Sequence, residues 1–305
     1  MGEDRAGKRA MRTLKTTVAD FIHDNCATMG AALAYYTLFA LPSLLLVVIS
    51  VAGLLLGPDQ VENKIQSELE QVIGGGAGSQ LSAMARHARA GSGSGVPATA
   101  FGVLALLYGA STAFVQLQSA LNTIWRVEPD PNKSGIARFI KDRLFSFLMV
   151  IGIAILFLAS LALGAALSTA GGTFTSWLPP EISQTALHAI EAVVSFIVFV
   201  FLFAALFKIL PDADLEWRQV RMGAIVTALL FTIGKSLIAL YLGHSGAASA
   251  YGQAGSLVLI VLWVYYSSLI VLLGAEFTRV WSEAHVGPIE PDRGAIRTQG
   301  PAPAH

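Results

Sequence analysis

Long, continuous apolar runs divide this chain, and they lack the every-second-residue alternation of a half-buried strand. Six of them hold enough residues to cross about 30 Å of hydrocarbon at helical rise: 31–57, 96–118, 144–169, 186–207, 223–242 and 255–275. Formal charge enters these limits only at Glu191 and Lys235. Continuous runs favour helices over barrel strands, because a helix satisfies its own backbone groups inside lipid. The expected fold class is therefore all-α, a polytopic membrane protein with six transmembrane helices over 31–282.

The flanks carry weaker patterns. Over 14–29, Leu14, Val18, Phe21, Ile22 and Met29 recur at helical spacing beside Asp20, His23 and Asp24. This predicts an amphipathic helix lying in the membrane interface, or else a solvated helix packed on the bundle, within a basic segment 1–30. Between the first two runs, 59–73 and 80–90 are helical stretches separated by Gly74, Gly75, Gly76 and Gly78, which predicts a hinged helical pair. The residues from 283 to 305 are rich in Pro, Gly and charge without apolar period, so a disordered tail is expected. Trp125, Trp177, Trp217 and Trp281 fall in span flanks, where indoles settle at the interface, and Trp263 falls inside the sixth run.

Composition agrees with a membrane chain: 54% of the 305 residues are hydrophobic and 13% charged, about half the charge of a soluble domain. Twenty basic and twenty acidic residues cancel, so no global field exists to hold nucleic acid. The distribution of the basic residues is more informative than their number. Those before the first run, those from Arg126 to Arg143, the group Lys208, Arg218 and Arg221, and those from Arg279 onward belong on one side. Lys64, Arg86 and Arg89 fall on the other, which predicts both termini in the cytoplasm. The first run is too long for the apolar core of a cleaved signal peptide. A single cysteine, Cys26, excludes an internal disulfide and thiolate-caged metals.

Candidate chemistry begins with the intramembrane charges, each costly at a helix centre unless paired or wetted. Glu191 and Lys235 are expected at matching depths on neighbouring helices, with His188 and Ser195 near the first and Thr232 near the second. They form either a functional polar site or a structural ion pair that fixes register. A second feature is a polar stripe along the second run, Tyr108, Thr112, Gln116, Ser119 and Thr123, with Asn122 beside it. Such a face either packs on another helix or lines a wet cleft. Pro42 is expected to kink the first span. The scattered histidines, and the absence of HExxH, GxSxG and nucleotide-loop motifs, predict no catalytic, metal or cofactor site and no enzyme. The tight trio Asp20, His23 and Asp24 is read as the wet side of an interfacial helix.

MGAALAYYTLFALPSLLL at 29–46, SALNTIWRV at 119–127, KILPDADLEW at 208–217 and YGQAGSLVLIVLWVYYSSLIVLLGAEFTRV at 251–280 resemble, in order, the YihY/BrkB family of integral membrane proteins. Ala40 departs from the serine common in that family. By this resemblance Tyr35, Tyr36, Pro42, Asn122, Pro211, Tyr251, Gly252, Trp263, Tyr266 and Glu276 are its characteristic positions, and Glu276 is placed to meet a basic residue such as Arg126 or Lys208. The resemblance implies a six-helix inner-membrane protein whose relatives are labelled as transporters, envelope-integrity or virulence-associated proteins, and formerly ribonuclease BN. The expectation is transport of a solute or lipid-like amphiphile, or a part in envelope integrity. A non-transporting scaffold is the alternative, and a membrane-embedded hydrolase or tRNA-processing nuclease ranks last. The expected partners are membrane lipids and an unidentified solute or amphiphile, with no nucleic acid.

Overall fold

The computed structural model describes residues 2–73, 76–90, 96–131, 152, 180–245, 255–292 and 294–298. The predicted third span, 144–169, lies outside them except for Gly152, as do Tyr251 and Gly252. The chain is built from α1 (Gly2–His23), α2 (Cys26–Leu56), α3 (Pro58–Ile73), α4 (Ala77–Ala90), α5 (Val96–Ile124), β1 (Val127–Pro129), α6 (Pro180–Ile209), β2 (Ala213–Asp214), α7 (Trp217–Ser245), α8 (Gly255–His285), β3 (Glu290–Pro291) and β4 (Ala295–Arg297). Four helices among the described residues are long and apolar enough to cross a membrane: α2, α6, α7 and α8. The second predicted span coincides with α5, whose helix continues to Ile124.

Local chemistry sets the helix ends. α1 runs unbroken to His23, so the predicted amphipathic stretch is divided, its last residues opening α2. The division falls at Asn25, whose left-handed backbone (φ 54°) reverses the chain at little cost for an asparagine. On α1 the apolar positions Met11, Leu14, Val18 and Ile22 form an exposed stripe, while Thr17 is buried. α2 continues through Pro42, so the proline does not end the element. Gly57 (φ 86°) stops α2, and Pro58, needing no amide donor at a first helical position, starts α3.

The hinged pair expected before the second span is α3 and α4, and it is not free-standing. Val61 and Ile65 pack on Ile49, while Ile73, Ala77 and Leu81 pack on Leu259 and Ile260, with Leu38, Leu41, Leu45 and Trp263 around them. This docking gives Trp263, inside the last long helix, an apolar seat away from the helix ends where Trp125, Trp217 and Trp281 lie. Glu70 closes the hinge by accepting the amides of Gly76 and Gly78 at 2.8 and 3.1 Å. A Cβ at Gly78 would lie 2.2 Å from the Gln66 carbonyl oxygen, so that position must be glycine.

α7 and α8 run antiparallel and lock through two copies of one device. Thr227 bonds back to the Gly223 carbonyl and Thr278 to the Gly274 carbonyl, each at 2.7 Å, which satisfies both buried hydroxyls within their own helices. Each threonine then fills the space left by the other helix's glycine: a Cβ on Gly223 would meet Thr278 Oγ1 at 1.6 Å, and one on Gly274 would meet Thr227 Oγ1 at 1.9 Å. One turn or more further along, the Tyr266 hydroxyl occupies the space over Gly234. Close approach through small residues is what association of apolar helices in lipid rewards. An aromatic ladder continues the core, with Phe199, Phe231 and Trp263 in successive contact at 5.0 and 5.9 Å between centroids.

The tail corrects the sequence-based expectation of disorder. α8 continues to His285, β3 pairs antiparallel with β2, and β4 pairs with β1 from Val127↔Arg297 to Pro129↔Ala295. Ile289 is buried in the main core, and Thr298 and Asp292 donate their amides to the carbonyls of Arg126 and Asp212. A segment with no apolar period is ordered here because its backbone, not its side chains, does most of the binding. Residues 299–305 lie outside the described residues.

The α7–α8 lock predicts a non-additive pair. Gly274→Ala should lower stability by about 1–3 kcal/mol through overpacking, and adding Thr227→Ala should recover most of that loss. Thermal unfolding of detergent-purified single and double variants checks it, with Gly294→Ala, where a Cβ meets nothing within 4 Å, as the neutral control.

Candidate functional site

Charged side chains from four separate parts of the chain converge where α1, α2, α5 and α8 meet. Arg279 on α8 lies 2.6 Å from Asp20 of α1, 3.0 Å from Glu276 one turn earlier, and 3.5 Å from Glu283 one turn later. Arg126, just past α5, places Nη2 2.9 Å from both carboxylate oxygens of Asp24. His23 Nδ1 is 3.1 Å from Asp24 Oδ1, and Cys26 Sγ points to Glu276 Oε1 at 3.8 Å. Glu276 is 0% exposed, and the Asp24 carboxylate is buried at 2%.

Asp20, His23 and Asp24 are thus not the wet side of an interfacial helix. Two of the three carry ion pairs that join the first helix to the last and to the end of α5. Glu276 meets a basic residue, as the resemblance implied, but that residue is Arg279 on its own helix. Arg126 goes to Asp24, and Lys208 instead donates to the Leu215 carbonyl and lies 5.5 Å from the Trp217 ring centroid. Backbone strain accompanies this arrangement. Asn25 and Arg126 are the two non-glycine residues with positive φ among the described residues; the first follows Asp24 in the chain and the second pairs with its carboxylate. Burial by itself would raise the Asp24 carboxyl, but hydrogen bonds with His23 and Glu276 and the charge of Arg126 outweigh it and hold the group below the ordinary carboxylate range.

A second polar joint lies nearby. The buried Asn122 donates to Asp212 Oδ2 at 2.8 Å and accepts the Asp212 amide at 2.8 Å, while Gln118 reaches the same carboxylate oxygen at 3.4 Å. Asn122 therefore turns away from the predicted stripe and fixes the turn after α6, where Pro211 is buried. The stripe itself is a separate face of α5. Tyr108 is 58% exposed, Ser119 and Thr123 are exposed, and Thr112 and Gln116 are half-buried. On α2, Tyr35 (60% exposed) and Tyr36 are also uncovered, their rings edge-on at 5.6 Å.

The pairing expected between Glu191 and Lys235 rests partly on side chains outside the described residues, those of Glu191 and His188. Lys235 is half-buried with its ammonium 5.8 Å from the Phe199 ring centroid, a cation–π distance. Thr232 bonds back to the Ala228 carbonyl at 2.8 Å, and Ser195 is half-buried on α6. Among the described residues no three His, Cys, Asp or Glu side chains are grouped to hold a metal ion. Sequence reasoning missed Arg279 as the hub. The available signal was its position three residues after Glu276 at the end of an apolar run.

The family model described as Virulence factor BrkB matches residues 17–297. A UPF0761 membrane protein of Pseudomonas aeruginosa (strain LESB58) is 29% identical over 269 residues, covering 84% of this chain and 59% of the relative. Another from Legionella pneumophila is 26% identical over 284 residues, 90% of this chain and 63% of the relative. One from Alteromonas mediterranea is 26% identical over 262 residues, 86% of this chain and 84% of the relative. The chain spans about three fifths of the Pseudomonas relative's length. No solved structure matches.

Two outcomes follow from the ion-pair geometry. Arg279→Met should destabilise the purified protein by about 3–5 kcal/mol, because Asp20 and Glu276 lose their buried partner. Thermal unfolding in detergent measures it. Asp24 has a folded pKa below its unfolded value, so its contribution is present above about pH 4 and is lost as pH falls through the lower folded value. From pH 6 downward through pH 3 the gap in melting temperature between the unaltered chain and Asp24→Asn should narrow, whereas a gap independent of pH would contradict the ionised assignment.

Proposed function

The chain belongs to the virulence factor BrkB family of membrane proteins, and on that premise we propose that it is a multi-pass inner-membrane protein that takes part in moving a solute or a lipid-like amphiphile across the membrane. The observation that carries this reading is the α5 face. A helix of a membrane protein that leaves Tyr108, Ser119 and Thr123 exposed, with Thr112 and Gln116 half-buried between them, sets a line of polar side chains along one face, a surface that hydrocarbon does not reward even where a hydroxyl such as that of Thr123 bonds back to its own helix at 3.0 Å. A hydrated or amphiphilic passenger would. The exposed pair Tyr35 and Tyr36 adds amphipathic rings suited to a molecule with one polar and one apolar end.

A scaffold role in envelope integrity is the second reading. It is favoured by the interlocked α7–α8 pair and by the tail strands that clasp β1 and β2, features that hold a shape rather than change one. Neither reading assigns chemistry to the chain, so we take it to be a non-enzyme that contacts lipid and its passenger without a cofactor or nucleic acid.

Accessibility separates the two. In a Cys26→Ser background, single cysteines at Tyr108, Thr112, Gln116, Ser119 and Thr123 are labelled in sealed vesicles with membrane-impermeant thiol reagents added to one side at a time. Transport predicts labelling of at least three consecutive stripe positions from one side. No labelling, with loop controls reacting normally, would leave the scaffold role standing and remove the pathway.

A further inference from the structure

We infer that α1 lies against the bilayer surface, with the stripe Met11, Leu14, Val18 and Ile22 immersed at the headgroup boundary and the bordering cations Arg12 and Lys15 on the phosphates of anionic lipids. This seating goes beyond the transport reading and does not depend on it, since a scaffold would rest on lipid in the same way.

At 3.6 residues per turn, α1 presents three faces. One is taken up by the bundle: Thr17 is buried, Phe21 packs on the main core, and Asp20 reaches Arg279. The apolar stripe fills the next sector, about 80° wide, and each of its four side chains is more than half exposed. Arg12 and Lys15 are exposed along its far border, and neither is paired with an acid among the described residues. The acids of this region are turned the other way, because Arg279 holds Asp20 and Arg126 holds Asp24. What α1 shows to its surroundings from Met11 onward is therefore apolar and cationic. Its first turns add Arg5, Lys8 and Arg9 against Glu3 and Asp4 in the sequence.

Charge complementarity names the occupant. Hydrocarbon rewards the stripe and phosphate answers the cations beside it, and an anionic bilayer surface presents the two side by side. The level of the helix agrees. Gly223 packs on Thr278, so the start of α7 and the end of α8 share the end of the bundle at which Asp20 meets Arg279. Trp217 is exposed there with the Lys208 ammonium over its ring, Arg218 and Arg221 are exposed next to it, and Trp281 is half-buried two residues beyond Arg279. Indoles among cations mark the depth at which hydrocarbon gives way to headgroups. Ion pairs thus tie α1 at that depth while its stripe stays uncovered by protein.

The experiment uses the full chain with Cys26→Ser in lipid nanodiscs and a bimane probe on Leu14→Cys, Val18→Cys or Thr16→Cys, all exposed positions. A nitroxide high on the lipid tail, carried by phosphatidylglycerol or by phosphatidylcholine, reads contact with lipid. A membrane-impermeant aqueous nitroxide reads contact with water. The tail nitroxide should quench the probes at 14 and 18, and the aqueous one should quench the probe at 16. At equal mole fraction, labelled phosphatidylglycerol should quench the probe at 14 about fivefold more steeply than labelled phosphatidylcholine, the preference one engaged cation gives. In Arg12→Gln/Lys15→Gln that ratio should fall toward one. Aqueous quenching as strong at 14 and 18 as at 16 would show a solvated helix, and shielding of 14 and 18 from both quenchers would show a covering protein such as a second copy. Either result overturns the seating. A ratio of one with both cations present, or a ratio unchanged by their removal, would overturn the recognition of anionic headgroups.

Discussion

Much of this molecule depends on a charge that cannot be left alone. Arg279 sits at the end of a long apolar helix, nearly buried, and an unpaired guanidinium there would cost more than most single contacts return. Its partners are drawn from the beginning of the chain, Asp20, and from its own helix, Glu276 and Glu283. Satisfying one cation thus brings the first helix against the last. Once they are together, Arg126 closes on Asp24, and the end of α5 is fixed with it. The corner at Asn25 and the left-handed turn at Arg126 are the geometric cost of that closure.

Steric fit does for the middle of the bundle what charge does for its end. Lipid provides no hydrophobic reason for α7 and α8 to associate, so the pair relies on close contact, and glycine opposite threonine provides it twice. The hydroxyls are harmless in this setting because each is answered by a carbonyl four residues back on its own helix. α3 and α4 extend the same body by docking their apolar faces on α2 and α8.

Long apolar runs announced the helices, because hydropathy over twenty residues is a one-dimensional property. The glycines near 76 announced the hinge for the same reason: backbone permission is local. The ion cluster was hidden because Asp20 and Arg279 are 259 residues apart, and each looks like an ordinary charge beside a membrane span. The tail was misjudged by a rule that counts apolar periodicity. Strands β3 and β4 are held by backbone pairing to β1 and β2, and composition carries no trace of that. Asn122 was expected beside the polar stripe, and its bond to the Asp212 turn was hidden because that turn lies 90 residues further along the chain.

The pairing of β4 with β1 and of β3 with β2 also orders events during synthesis. Each receptor strand is made long before the strand that binds it, so both wait with unpaired edges while the helices between them insert. The end of the bundle that carries the buried charges is sealed only when residues 290–297 emerge from the ribosome. Until then that end of the bundle lacks the strand pairing that closes it in the finished fold.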